Sequence, residues 1–197
     1  MDGVETERLL LRRWRPDDID ALADIFALPD VWQYPFGRGL TQAESAGFLD
    51  RQMDHWETHG FGMWAAELKA DRTLIGYIGL AVPTWLPQVL PAVEVGWRLH
   101  PAHWGQGLAT EGGAASLTYG FETLGLDRIL AMVMPGNVAS IRVTTKLGMH
   151  DWLTTTDEVR NVELQVFEIT VAEWRPSQGA PRGSWPRDPL GEPGPGR

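Results

Sequence analysis

The chain has 197 residues, 43% of them hydrophobic and 10 of them tryptophan, enough for one compact domain with a sizeable core and an apolar-lined pocket. It has no cysteine, which excludes disulfides, thiolate metal sites and a covalent acyl-cysteine intermediate, so any acyl transfer is direct or uses another nucleophile. A formal net charge of -9 argues against a nucleic-acid groove and suits cationic partners or plain solubility, and the polar start followed by only a short apolar run at residues 9–11 predicts neither signal peptide nor membrane helix, hence a cytoplasmic protein.

Residues 7–14 read as a strand that stops at Arg15-Pro16-Asp17-Asp18, where a proline and acidic residues open a helix carrying Ile19, Leu22, Ala23, Ile25 and Phe26 on one face. Thr41-Gln42-Ala43-Glu44 matches a capping box, and Phe48, Leu49, Gln52, Met53 and Trp56 follow at helical spacing up to Gly60. Residues 61–68 and 73–82 read as an antiparallel hairpin, and residues 83–91, with three prolines and Trp85, as a loop. Residues 93–99 form a further strand in which Gly96 marks a bulge or a place where another backbone comes close.

A helix over residues 109–124 contains Gly112, Gly113 and Gly120, each costing roughly 1 kcal/mol of propensity, so it needs a packing reason to exist. Residues 128–133 are a strand, 140–147 a helix closed by Gly148, and 149–155 and 164–171 the last strands. Residues 175–197 are rich in Pro, Gly and Ser and read as a disordered tail, leaving one domain over residues 1–174.

The most informative window is Glu94-Val95-Gly96-Trp97-Arg98-Leu99-His100-Pro101-Ala102-His103-Trp104-Gly105-Gln106-Gly107-Leu108-Ala109-Thr110-Glu111, a strand, a Gly-rich turn and a helix start. Glycines at 105 and 107 permit unusual backbone angles and uncover amide N–H groups, and the helix N-terminus adds partial positive charge that suits a pyrophosphate. The window is not a Walker A loop, because no Gly-Lys-Ser/Thr follows, and Thr110 stands where a dinucleotide fingerprint needs glycine.

Together with Thr6-Glu7-Arg8-Leu9-Leu10-Leu11-Arg12, Asn137-Val138-Ala139-Ser140-Ile141-Arg142-Val143 and Lys146-Leu147-Gly148-Met149, this window resembles the GNAT N-acetyltransferase family, more narrowly its RimJ/RimL-like branch, across about residues 6–172. Trp104 replaces the basic or amide residue that often opens the family's CoA motif, a change usual in this branch, while Gly107 and Ala109 match it; Thr145 stands where the branch often has Glu. The resemblance implies an α/β fold with a mixed, mostly antiparallel sheet, helices on both faces and two central parallel strands splayed to form a CoA cleft. It implies pyrophosphate on the backbone of Gly105, Gln106, Gly107, Leu108 and Ala109, flanked by Trp104 and Thr110, and pantetheine along Trp97, Arg98 and Leu99.

Aminolysis of a thioester needs a base for the amine proton, an oxyanion donor and a proton for the leaving thiolate. Glu94 is the candidate base, direct or through water; Ser140 is the candidate for holding or protonating the thiol, Asn137 for bonding pantetheine, and backbone N–H groups near Trp97 for the oxyanion. Glu94 could instead pair with Arg98 or Arg128, and Asn137 and Ser140 are also favoured helix caps. His55 and His59 fail the zinc-protease pattern and read as surface histidines, His100 and His103 as loop histidines, so no metal is expected.

The expected reaction is transfer of acetyl from acetyl-CoA to a primary amine, on a peptide N-terminus or a small molecule, polyamine-like or aminoglycoside-like acceptors included, with no nucleic-acid or membrane partner; homodimers are frequent in the resembling branch. The rivals are a longer acyl-CoA, or a non-catalytic acyl-CoA-binding regulator that would need neither Glu94 nor Ser140. Trp32, Tyr34, Phe36 and Trp85 either edge the core or line the acceptor cleft.

Overall fold

The computed structural model describes residues 3–174; the tail expected over 175–197 lies outside the described residues. Eight strands form one open sheet in the order β1-β2-β3-β4-β5-β6-β8-β7, with β1 Gly3–Glu5, β2 Leu9–Arg12, β3 Met63–Leu68, β4 Leu74–Ala81, β5 Glu94–Leu99, β6 Arg128–Val133, β7 His150–Asp157 and β8 Val162–Thr170. Every neighbouring pair is antiparallel except β5 with β6. The mixed, mostly antiparallel sheet expected from the sequence is therefore present, although the opening strand is two short ones joined at residues 6–8.

One face of the sheet is covered by α1 Ile19–Phe26 and α2 Gln42–His59, which bury Leu22, Ile25, Phe26, Phe48 and Leu49 against Trp14 and Ala65. The capping box at the start of α2 forms in both directions: Thr41 Oγ1 accepts from the Glu44 amide at 3.2 Å and Glu44 accepts from the Thr41 amide at 2.8 Å. Gly60, at φ 72, ends the helix in the left-handed conformation that favours glycine.

The opposite face is covered by α3 Leu108–Thr118, continued by a π-helical turn at Tyr119–Thr123, and by α4 Val138–Lys146. The glycines of this segment have the packing reason they needed. A Cβ on Gly112 would lie 2.4 Å from Ile78 Cδ1 on β4, one on Gly113 2.9 Å from Leu147 Cδ1, and one on Gly120 2.6 Å from Ile129 Cδ1. Close approach of helix to sheet offsets the lost propensity.

A buried ionic knot fixes the entry to α1. The Arg12 guanidinium binds Asp18 at 2.6 and 2.7 Å and Glu67 at 2.5 Å. Removing one partner of such a buried set typically costs about 3–5 kcal/mol, because the remaining charge is left without compensation.

Two sequence expectations need correction. No bulge lies at Gly96, because β5 pairs with β4 continuously from Glu94 to Leu99; what comes close is not a backbone but the end of the Met63 side chain, whose Cε would stand 2.8 Å from an added Cβ. His55 is not a surface residue but is half-buried, bonded through Nδ1 to Phe61 O at 2.8 Å and accepting at Nε2 from the Val82 amide at 3.0 Å.

Candidate active site

The two central strands are paired in register at one position. Glu94 pairs with Leu130 in parallel register, the Leu130 amide donating to Val93 O at 2.9 Å, and no further residues of β5 and β6 pair. Backbone groups alternate sides along a strand, and the His100 amide bonds Ile75 O toward β4, so those of Trp97 point into the gap between β5 and β6. The splay expected at the parallel pair is thus open from the residue after Glu94 onward.

At the far end of β5 the chain turns through residues 100–107 into α3. Gly105 (φ 72) and Gly107 (φ 81) both hold left-handed backbone, and Gly107 is the N-cap of α3 with no side chain to cap it. Among the described residues no bond is made by the amides of residues 105–110, so a run of exposed donors sits at the positive end of the helix. Trp104 is half exposed, at 50%, and its indole N–H donates to Leu99 O at 2.7 Å, tying the turn to the strand. Gln106 Nε2 closes the turn by donating to Ala102 O at 3.0 Å.

This turn has a brace that sequence reading missed. Arg8 donates to Gln106 O at 2.9 Å and to Glu111 Oε2 at 2.7 Å, while Thr6 Oγ1 and the Arg8 amide bond Glu111 Oε1 at 2.5 and 2.8 Å. Glu111 is held below the usual carboxylate range by these contacts, burial opposing them. Its charge is thereby turned away from the bare amides and matched by a guanidinium. Arg8 and Glu111 are 103 positions apart, so no spacing rule could pair them.

Glu94 lies on the α1/α2 face of β5, at the foot of the gap. Burial pushes its carboxyl up to about 7, and the Trp85 indole N–H, donating to Oε1 at 3.1 Å, acts in the opposite sense. Neither Arg98 nor Arg128 pairs with it, so the bland ion-pair reading of Glu94 is not what the structure contains. Trp85 comes from the proline-rich loop over residues 83–91, which lays Leu86 and Val89 on Leu130, Leu164 and Val166. Arg160, from the β7–β8 turn, stands 5.5 Å over the Trp85 ring.

Ser140 lies in the first turn of α4. Its amide donates to Asn137 Oδ1 at 3.1 Å, so Asn137 is the N-cap, as its type predicts. The Trp97 indole N–H donates to Ser140 Oγ at 3.3 Å. That contact fills one acceptor position of the hydroxyl and leaves its own hydrogen available to another group.

Arg98 is placed differently from its neighbours. Its guanidinium lies 3.8 Å over the Trp32 ring, donates from Nη1 to Val31 O, and donates from Nε to Tyr77 Oη at 3.3 Å, all on the α1/α2 face. Trp32 itself is buried at 7% exposure and stacks on Phe36 at 5.4 Å, while Tyr34 Oη reaches Gly136 O at 2.7 Å, next to Asn137. The loop over residues 33–40 thus spans from the helical face to the rim of the gap. His100 turns inward to accept from the Ala102 amide at 3.1 Å, and among the described residues no group of three metal-ligating side chains occurs.

An open mixed sheet parted at its one parallel pair, with uncapped amides at the end of the gap, is the architecture of an acyltransferase. Residues 8–150 match the Acetyltransferase (GNAT) domain family, and the chain belongs to it. Similar to it is YoaA of Bacillus subtilis (strain 168), an uncharacterized N-acetyltransferase, 33% identical over 147 residues that make up 74% of this chain and 81% of that protein. The crystal structure of an acetyltransferase from Agrobacterium tumefaciens strain C58 superposes with a TM-score of 0.73 at 26% identity, over 86% of this chain and 94% of that one. Mycobacterium smegmatis RimJ in complex with CoA-disulfide shares the fold, with a TM-score of 0.69 at 21% identity over 84% of this chain and 83% of that one.

Proposed function

We propose that this acyltransferase moves the acetyl group of acetyl-CoA directly to a primary amine, on a peptide N-terminus or a small molecule. The observation that carries the reading is Glu94, a carboxyl at about 7 located where the two central strands part. Such a group is half ionised near neutrality and is suited to take a proton from an ammonium.

The residues fit acetyl-CoA, the donor that the GNAT fold uses. The amides of Gly105, Gln106, Gly107, Leu108, Ala109 and Thr110 would hold the pyrophosphate, with Trp104 beside them. Trp97 and the Leu99 amide, which face the gap, would carry pantetheine, whereas the backbone groups of the intervening Arg98 face Tyr77 on β4. Asn137 would bond pantetheine from the cap of α4, and Ser140 would hold the departing sulfur by a hydrogen bond from its hydroxyl, the thiolate taking its proton from solvent or from the amine by way of Glu94. Trp97 N–H would receive the negative charge that develops on the thioester oxygen.

Free-thiol release from acetyl-CoA, measured with a panel of amines and N-terminal peptides and followed by mass shift of the product, tests the proposal. Binding without turnover favours the regulator reading, and faster release from propionyl- or butyryl-CoA favours a longer donor. Among the described residues no helix is long and apolar enough to cross a membrane. A cytoplasmic location and a homodimer complete the reading, the latter checked by light scattering.

A further inference from the structure

Arg98 and Glu94 project from the same face of β5, four residues apart, so their Cα atoms are separated by about 13 Å. Among the described residues Arg98 has no carboxylate partner, whereas Arg8, Arg12, Arg38 and Arg160 are ion-paired. Its Nε and Nη1 are satisfied by neutral oxygens, those of Tyr77 and Val31, and Nη2 makes no bond. Under it lies Trp32, more than nine-tenths buried, whose indole N–H also has no partner.

A half-buried guanidinium with a free N–H and no counter-charge is a recognition group for an anion, because charge-assisted bonds are about twice as strong as neutral ones. An uncompensated guanidinium on the same strand face as the base disfavours an acceptor that carries several positive charges.

Resting on the reading of Glu94 as the base, we infer that the amine acceptor carries a carboxylate, and that Arg98, held over the Trp32 ring with Nη2 unbonded, binds that carboxylate while the amine lies at Glu94. An extended tripeptide, about 10 Å long, has the span to reach both groups. Polyamines and aminoglycosides, which have several ammonium groups and no acid, are poor acceptors on this arrangement.

The test compares Ser-Ala-Ala with its C-terminal amide, and with spermidine, as acceptors for acetyl-CoA. The parent protein is expected to favour the acid over the amide by about tenfold or more in kcat/KM, the worth of a charged hydrogen bond. Arg98→Gln is expected to bring that ratio close to one, whatever it does to the two rates together. A role confined to holding the Val31–Trp32 backbone would lower acid and amide together and leave the ratio intact, and that result overturns the inference. If Arg98→Gln does not fold, the parent's own ratio decides: equal rates, or a preference for the amide or for spermidine, overturn the assignment while acetyl transfer itself stands. No turnover of any amine overturns both.

Discussion

The Trp85 indole N–H donates to Glu94 Oε1 at 3.1 Å, and among the described residues it is the single hydrogen bond to that carboxylate. Burial favours the neutral acid and this bond favours the anion, with burial the larger. Trp85→Phe removes the bond and keeps most of the ring. The acid limb of kcat/KM, which rises as Glu94 ionises, is therefore expected to move to higher pH, with the alkaline plateau changed little. A limb that stays in place in a pH–rate series shows that Glu94 is not the group being titrated.

Glu94→Gln is expected to lower turnover by roughly 10²-fold or more, the lower range for loss of a general base, while acetyl-CoA affinity stays within a few fold. Stability gives an independent readout. In the unfolded chain the carboxyl ionises near 4.5 and in the folded one near 7, so between those values the folded state binds more protons and stability falls as pH rises. The difference corresponds to an upper figure of about 3 kcal/mol, reached above pH 7. Glu94→Gln abolishes this loss, so its melting temperature should exceed the parent's at pH 8 more than at pH 5. Turnover within threefold of the parent across pH 6 to 9 would falsify base catalysis here.

Gly107→Val is expected to weaken acetyl-CoA binding in calorimetry by more than it lowers stability. Space is not the obstacle, since an added Cβ would meet only Arg8 Nη2 at an ordinary 3.6 Å. The obstacle is φ 81, which a β-branched residue holds only at a strain of about 1–3 kcal/mol. Relaxing that strain turns the amides that follow away from a common point. Unchanged affinity in the variant shows that the phosphates bind elsewhere.

His55 Nε2 accepts from the Val82 amide, so Nδ1 carries the hydrogen that goes to Phe61 O, and the neutral ring fits both contacts. Burial lowers its pKa below the ordinary 6.5. The unfolded chain takes up this proton first, so stability is present above pH 6.5 and is lost as pH falls through the lower folded value. His55→Gln is expected to lower the melting temperature at pH 7.5 and to flatten its decline between pH 6.5 and 5. The decline of the parent, followed by thermal melts, should be the steeper of the two.

Elements with a local signature were legible in the sequence: the capping box at Thr41 and Glu44, the strand Arg128–Val133 and the Gly-rich turn before α3 all stand where their residue types put them. Gly112, Gly113 and Gly120 announced a packing constraint without naming Ile78, Leu147 and Ile129 as its source. What could not be read was long-range. Arg8 with Glu111, Arg98 with Trp32 and Trp85 with Glu94 are brought together by topology, and a charged or aromatic residue has the same composition whether it faces solvent or a partner. His55 was misjudged for the same reason, since its two bonds are to backbone groups, which leave no trace in residue type.

The single paired position between β5 and β6 divides the sheet into two blocks, β1 to β5 and β6 to β7, each laced internally by antiparallel bonds and joined in register at Glu94 and Leu130. A molecule lying in the gap would act as a missing rung, with its own amides completing a ladder the polypeptide leaves unfinished. Protection of backbone amides against hydrogen exchange should then spread from each block into the seam when the donor binds, with the Leu130 amide as the sentinel. On the proposed reading the donor would be part of the architecture for as long as it is bound, and the residue that reports its arrival, Leu130, is the register partner of the proposed base, Glu94.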